Sequence, residues 1–344
     1  MIGLMDAANY AYAYGWVSAL PQSLGKETYE KLITARSTDE LVATLAGTAY
    51  SNEIQEGIKK GATSEESLVD ISAIEKAITA HYVNICKAVV SALPLGVRDG
   101  ARSIMMGGWD VMNLKRVIRG VSRGKRGEDI ISELGAIGNI NETKLSESAS
   151  GDLRSALEKI KEFGYFVNVN ETNLFKIESE LDLQLVTLWI RECETVSDLK
   201  NTVRMQIDML NLKSIIRYKI SNIDASDFLE NAVIGQNLYR EILKEINGAG
   251  FDAIPDILAK TSYGGTFQES FDDFKKTGSM EKLELQIEKI LSGYVIQAQP
   301  LSLAFVISYL RRMRIDARNI RVILVCKKHN IQPEEIRDLV VMMQ

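Results

Sequence analysis

The chain has 344 residues, 46% of them hydrophobic and 25% charged, with 5 prolines and a formal net charge of −5. That length and apolar content can bury a substantial core divided over two or three domains, and the acidic balance excludes a general nucleic-acid binder. The longest apolar stretches, such as 301–310 with two serines inside it, are too short to cross a bilayer, and residues 1–14 carry Asp6 without the basic region of a secretory signal, so a cytosolic chain is expected.

In chain order, residues 4–20 and 26–36 read as two helices broken around Pro21, and Thr38-Asp39-Glu40-Leu41 as a fresh helix start. A long apolar-periodic segment covers 64–93 and ends at Pro94; another begins near Leu95. The Asn-, Ser- and Gly-rich stretch 135–151 reads as a loop. Residues 152–163 and 171–193 follow as helices, with Tyr165-Phe166-Val167 between them as a short strand or a helix end. Helices are then expected at 226–247 and 280–291, separated by Gly248-Ala249-Gly250 and Gly264-Gly265. Cys86, Cys193 and Cys326 form no CxxC pair and suit ordinary buried thiols.

One block occurs three times, about a hundred residues apart. It is Asp110-Val-Met-Asn113-Leu114-Lys115-Arg-Val117-Ile118, then Asp208-Met-Leu-Asn211-Leu212-Lys213-Ser-Ile215-Ile216, then Asp316-Ala-Arg-Asn319-Ile320-Arg321-Val-Ile323-Leu324. The spacing of its apolar residues places them on one face of an α-helix. That arc includes the Asp, with the Asn at one edge and the Lys or Arg at the other. Fourteen positions after each Asp stands a residue suited to the left-handed conformation that ends a helix, namely Gly124, Asn222 and Asn330. An acid and a large apolar residue follow in register: Asp129-Ile130, Asp227-Phe228 and Glu335-Ile336. Each copy reads as helix, short loop, second helix, and a unit was laid down three times.

A buried carboxylate needs a partner. Arg204 and Arg312 stand four residues before Asp208 and Asp316, within reach on a continuous helix, and are the expected cations. The first copy has Met106 there, so Asp110 is left to Arg102 or another segment. A fainter match, Leu45-Ala46-Gly-Thr48-Ala-Tyr50 with Leu258-Ala259-Lys-Thr261-Ser-Tyr263, links the parts upstream of the first and third blocks; its counterpart in the second unit is a guess at 157–165. The expected units are 1–138, 139–236 and 237–344.

Chemical motifs are nearly absent. Gly120-Val-Ser-Arg-Gly124-Lys125-Arg126 is one residue short of a phosphate-binding loop, has Arg126 in place of the magnesium-holding hydroxyl, and follows a helix. His81 and His329 lack a metal-ligand pattern. No catalytic residue, cofactor or metal is therefore expected. Cations cluster at the ends of the three repeated helices: Arg119 and Arg123, then Arg217 and Lys219, then Lys327 and Lys328. They read as a solvated face or as contacts to an acidic protein partner, ahead of a site for nucleic acid or anionic lipid.

The triplicated Asp-x-x-Asn-Leu/Ile-Lys/Arg helix, the Thr-x-Tyr turn and the ending Arg318-Asn319-Ile320-Arg321…Pro333-Glu334-Glu335-Ile336 resemble the C subunit family of the archaeal and bacterial A/V-type ATP synthase, the counterpart of the vacuolar ATPase d subunit. The likeness spans the chain; Met105-Met106-Gly107-Gly108 departs from the run matched by Tyr309-Leu310-Arg311-Arg312, and Tyr14-Gly15-Trp16 departs near the start. The resemblance implies an all-α protein of three similar domains about a pseudo-threefold axis, shaped as a funnel. It implies a non-catalytic rotor component without a transmembrane segment, on the cytoplasmic side of the membrane. Its partners would be the D and F subunits of the central shaft and the membrane proteolipid ring. A free-standing helical-repeat scaffold is the alternative, and it predicts shorter, stackable repeats.

Overall fold

The computed structural model describes residues 2–61, 71–135, 137–194, 196, 199–293 and 301–342. Among these the chain is helical throughout, with no strand. It clusters into two compact units.

The first unit contains residues 1–102, 135–138 and 295–344. Its helices are α1 (Ile2–Ala19), α2 (Lys26–Thr34), α3 (Thr38–Ala46), α4 (Ser51–Gly61), α5 (Ile71–Ala92), the start of α6 (Leu95–Ser122), α17 (Leu303–Lys328) and α18 (Pro333–Leu339). The expected helix start at 38 is capped by Ser37, whose hydroxyl accepts from the Glu40 N–H, while the Glu40 carboxylate reaches back to the Arg36 N–H. Proline at the first turn starts α18, and Pro94 separates α5 from α6. α17 packs against α5, α1, α2 and α3. Leu32, Ile33, Leu45, Ile54, Ile78, Val89, Leu310 and Met313 are sealed from solvent there, each contributing about 1.5–3 kcal/mol of hydrophobic stabilisation. The part of the expected helix 64–93 at 64–70 lies outside the described residues.

The second unit contains residues 103–134 and 139–294. After the rest of α6 come α7 (Gly127–Ser132), α8 (Glu142–Ser148), α9 (Leu153–Glu162), α10 (Leu174–Glu192), α11 (Lys200–Ile220) and α12 (Ser226–Asn231). They are followed by α13 (Arg240–Gly248), α14 (Ile254–Ala259), α15 (Gln268–Thr277) and α16 (Glu281–Gly293). α11 packs on α10, α13 and α16. Its apolar face, including Leu212, Ile215 and Ile216, joins Leu243, Ile246, Leu258, Phe267, Phe271 and Leu283 in one core.

Three expectations change here. The stretch 135–151 is not all loop: Asn141 caps α8 by accepting from the Lys144 N–H, and Leu145 and Ser148 are buried beneath it. Residues 165–167 are not a strand. Gln184 of α10 bonds both the N–H and the carbonyl of Phe166, so those backbone groups have a side-chain partner in place of a ladder. The expected helix 226–247 is broken between α12 and α13, because backbone N–H groups at 236–238 are taken by a carboxylate described below.

The stop signals stand as expected. Gly124, Asn222 and Asn330 have φ of 67°, 51° and 57°. The next residue donates to the carbonyl five positions back each time: Lys125 to Gly120, Ile223 to Tyr218 and Ile331 to Cys326, at 3.0, 3.1 and 3.0 Å. These are the long bonds of a Schellman ending, made by the same positions of all three copies. Asn222→Ala should cost about 1 kcal/mol because a Cβ-bearing residue without a local polar contact is strained at positive φ. Asn222→Gly should leave stability unchanged or raise it, as read by urea denaturation.

Candidate functional site

The three repeated aspartates carry the most distinctive chemistry of the chain. Asp110 is 3% exposed, and Asp208 and Asp316 are 0% exposed. A charge so placed must be satisfied by donors that travel with the fold. Asp110 accepts from the Asn139 and Ile140 N–H groups at 2.7 and 2.9 Å and from the Asn139 side chain at 2.9 Å. Asp208 accepts from the N–H groups of Gln236, Asn237 and Leu238 at 2.8–3.2 Å and from the Tyr263 hydroxyl at 2.6 Å. Asp316 accepts from the Leu24 N–H at 2.8 Å and the Tyr29 hydroxyl at 2.5 Å.

Two of the three share a register. In the first two copies the bonded N–H groups lie 29 and 30 residues beyond the Asp, in the segment that leads into α8 or α13. The third copy takes Leu24, in the segment that leads into α2. Each repeated helix therefore holds a segment that leads into a later helix, α8 or α13, or in the third copy into α2.

The Asn and Lys or Arg positions act with the Asp. Asn211 donates to the Val233 carbonyl and Asn319 to the Val341 carbonyl, both at 2.8 Å and both 22 residues on; Asn113 is fully buried as well. Lys115 pairs with Asp182 of α10 at 2.5 Å, Lys213 with Glu284 of α16 at 3.0 Å, and Arg321 with Glu75 of α5 at 3.7 Å. Each acid lies on the helix that precedes the next repeated helix.

The arginine partners expected for the carboxylates are a correction. Among the described residues Arg204 makes no ion pair with Asp208, nor Arg312 with Asp316, and the buried Nε of Arg204 has no hydrogen-bond partner. Backbone N–H groups and tyrosine hydroxyls win because they reach the carboxylate without burying a second full charge. Arg102 binds Asp99, so Asp110 is served by another segment, the second option the sequence left open.

Electrostatics follow from this geometry. Burial raises the Asp208 carboxyl above its ordinary range, opposed by Tyr263 and the three N–H groups. It pushes Asp316 up to about 7, opposed by Tyr29, the Leu24 N–H and the Arg312 charge. Tyr263 and Tyr29 are raised by burial and by the carboxylates they bind. Tyr50 and Tyr165 are raised by burial and then by Asp316 and Asp110. The faint Thr-x-Tyr match thereby gains a role. Thr48 and Thr261 each bond a carbonyl three residues back at 2.6 Å and accept from the N–H of Tyr50 and Tyr263 at 3.2 Å. In the second case that turn sets the Tyr263 hydroxyl on the Asp208 carboxylate.

Of the cationic helix ends, Arg119 holds both oxygens of Glu178 at 2.5 Å, Arg217 approaches Glu284 at 3.4 Å, and Lys219 donates to the Asn247 and Ala249 carbonyls at 2.8 and 2.6 Å. Arg123 and Lys328 are exposed, and Lys327 is half-buried. Among the described residues, no group of three or more His, Cys, Asp or Glu side chains could hold a metal ion.

The family model for the ATP synthase (C/AC39) subunit matches residues 22–339. The chain belongs to that family. Curated relatives agree in length. The A-type ATP synthase C subunit of Methanocaldococcus jannaschii is 24% identical over 98% of this chain and 88% of its own. That of Methanosarcina acetivorans is 24% identical over 97% and 93%, and that of Pyrococcus abyssi 22% over 96% and 90%. As a member of the C/AC39 family the chain is a component of an ATP synthase and not itself the enzyme.

Sequence reasoning missed Gly235. A Cβ there would overlap the Asp208 carboxylate and the Arg204 carbonyl, so the stretch of backbone that binds Asp208 can approach only as glycine. Gly235→Ala should lower stability by roughly 2–4 kcal/mol, the range for overpacking combined with a disturbed buried charge. Arg204→Met should leave the melting temperature nearly unchanged, whereas Asp208→Ala should lower it by several degrees. Scanning calorimetry of the three variants checks both statements.

Proposed function

We propose that this chain is the non-catalytic central-stalk component of a rotary A/V-type ATP synthase. It acts as a socket that links the shaft made by the D and F subunits to the membrane proteolipid ring and transmits torque between them. Its three units, 1–138, 139–236 and 237–344, then lie about a pseudo-threefold axis as a funnel. The synthesis or hydrolysis of ATP belongs to other subunits, and this one sits peripherally on the cytoplasmic side. No helix among the described residues is long and apolar enough to cross a membrane.

The observation that supports this reading is the thrice-repeated carboxylate joint, ordered so that each unit grips the next. A torque adaptor must resist shear between its parts. Directional bonds to a buried charge, set in close-packed helices, give that resistance because packed interiors transmit strain. A free-standing scaffold built from short repeats has no need of units this large held end to start.

The cations divide into two roles. Arg119, Arg217 and Lys219 brace the chain internally, while Arg123, Lys327 and Lys328, which make no ion pair among the described residues, are the contacts for an acidic partner. Charge there sets orientation and association rate more than affinity.

Affinity purification of the tagged chain from native membranes should bring the catalytic subunits and the proteolipid ring with it; recovery of the chain alone from intact membranes would overturn the assignment. Reversing Arg123, Lys327 and Lys328 together to Glu should weaken that co-purification at low salt without lowering the melting temperature. An unchanged pull-down removes these residues from the contact surface.

A further inference from the structure

The three carboxylate joints are built alike but not served alike. Asp208 receives four donors, and Asp110 receives three that include two backbone N–H groups. Asp316 is sealed as completely as Asp208, yet among the described residues it receives only the Leu24 N–H and the Tyr29 hydroxyl. A buried carboxylate with two donors keeps part of its desolvation cost. Accepting a proton removes that cost, and a carboxylic acid still offers lone pairs to both donors. The Tyr50 hydroxyl, 1% exposed, feels the Asp316 charge without bonding the carboxylate.

We propose that the Asp316 joint is a proton-sensitive latch, tighter when Asp316 carries a proton than when it is ionised, which sets how firmly the opening of the chain is held on α17.

Asp316 shares its surroundings with other titratable groups. From α2 Tyr29 bonds it, and from the turn after α3 Tyr50 feels its charge, both held neutral by burial. On α17 itself Tyr309 donates to the Pro21 carbonyl at 3.1 Å, and Arg312 supplies the opposing positive charge. Behind Tyr50, Glu53 of α4 holds His81 of α5 at 2.5 Å, with the His81 ring 5.1 Å from the Tyr50 ring. α5 also carries Cys86 and Tyr82, both raised by burial. Arg337 of α18 is taken by Glu30 and Glu334, Glu40 of α3 acts on Lys327, and Tyr14 of α1 leans on Phe305.

The direction follows from linkage. The carboxyl of the closed joint sits at about 7, above its ordinary 3.8. The closed state therefore binds the proton that the opened state releases. Its extra stability is complete below the ordinary carboxylate range, declines as pH rises toward 7, and is gone above it. Asp208 has more donors, so its own decline lies at lower pH.

Hydrogen exchange of the full chain at pH 5, 6, 7 and 8, corrected for intrinsic exchange rates, tests the latch. Protection of the Leu24 amide should fall about 50-fold from pH 5 to pH 7 and less than about twofold from pH 7 to pH 8, while Leu238, which donates to Asp208, loses far less. Tyr29→Phe removes a donor and should move the Leu24 step to higher pH; Asp316→Asn should abolish it. Parallel pH profiles at Leu24 and Leu238, a step unmoved by Tyr29→Phe, or one that persists in Asp316→Asn would each overturn the proposal.

Discussion

A carboxylate removed from water has to be met by donors fixed in the fold, and in this chain that requirement arises three times at the same place in a repeated helix. Asp110, Asp208 and Asp316 meet it with backbone N–H groups, backed for Asp208 and Asp316 by a tyrosine hydroxyl. The consequences run outward. The N–H groups at 236–238 cannot also serve a helix, so α12 and α13 are separate; the backbone must come close enough to touch Asp208, so residue 235 is glycine. The energetic logic favours neutral donors over a paired arginine, since two buried full charges cost more to desolvate than one.

Much of this could be read from residues alone. The Asp block, its apolar arc and the left-handed stops at Gly124, Asn222 and Asn330 follow from helix geometry and from which residues tolerate positive φ, both local properties of the chain. The helical class and the helix starts at Thr38 and Pro333 are local in the same sense. What could not be read is what each carboxylate touches. Leu24 lies 292 residues from Asp316, and no periodicity encodes such a distance. Arg204 and Arg312, four residues before their aspartates, are what local spacing offers, and local spacing offers only local partners.

Two other errors have the same origin. The polar stretch around 139–141 looks like a loop until Asp110 fixes its backbone and Asn141 starts a helix. Phe166 has strand-like neighbours, but its backbone is met by the Gln184 side chain of α10. The Thr-x-Tyr resemblance was a faint but usable signal. Its meaning, a turn that sets a tyrosine toward a buried carboxylate, depends on a contact across the fold.

The donors of each joint lie far from the aspartate along the chain, 28–30 residues on for Asp110 and Asp208 and 292 residues away for Asp316. A peptide holding only the repeated helix would carry a carboxylate without the backbone that satisfies it. Joining helix and donor segment in one polypeptide makes their meeting intramolecular, at a high effective concentration set by the length between them.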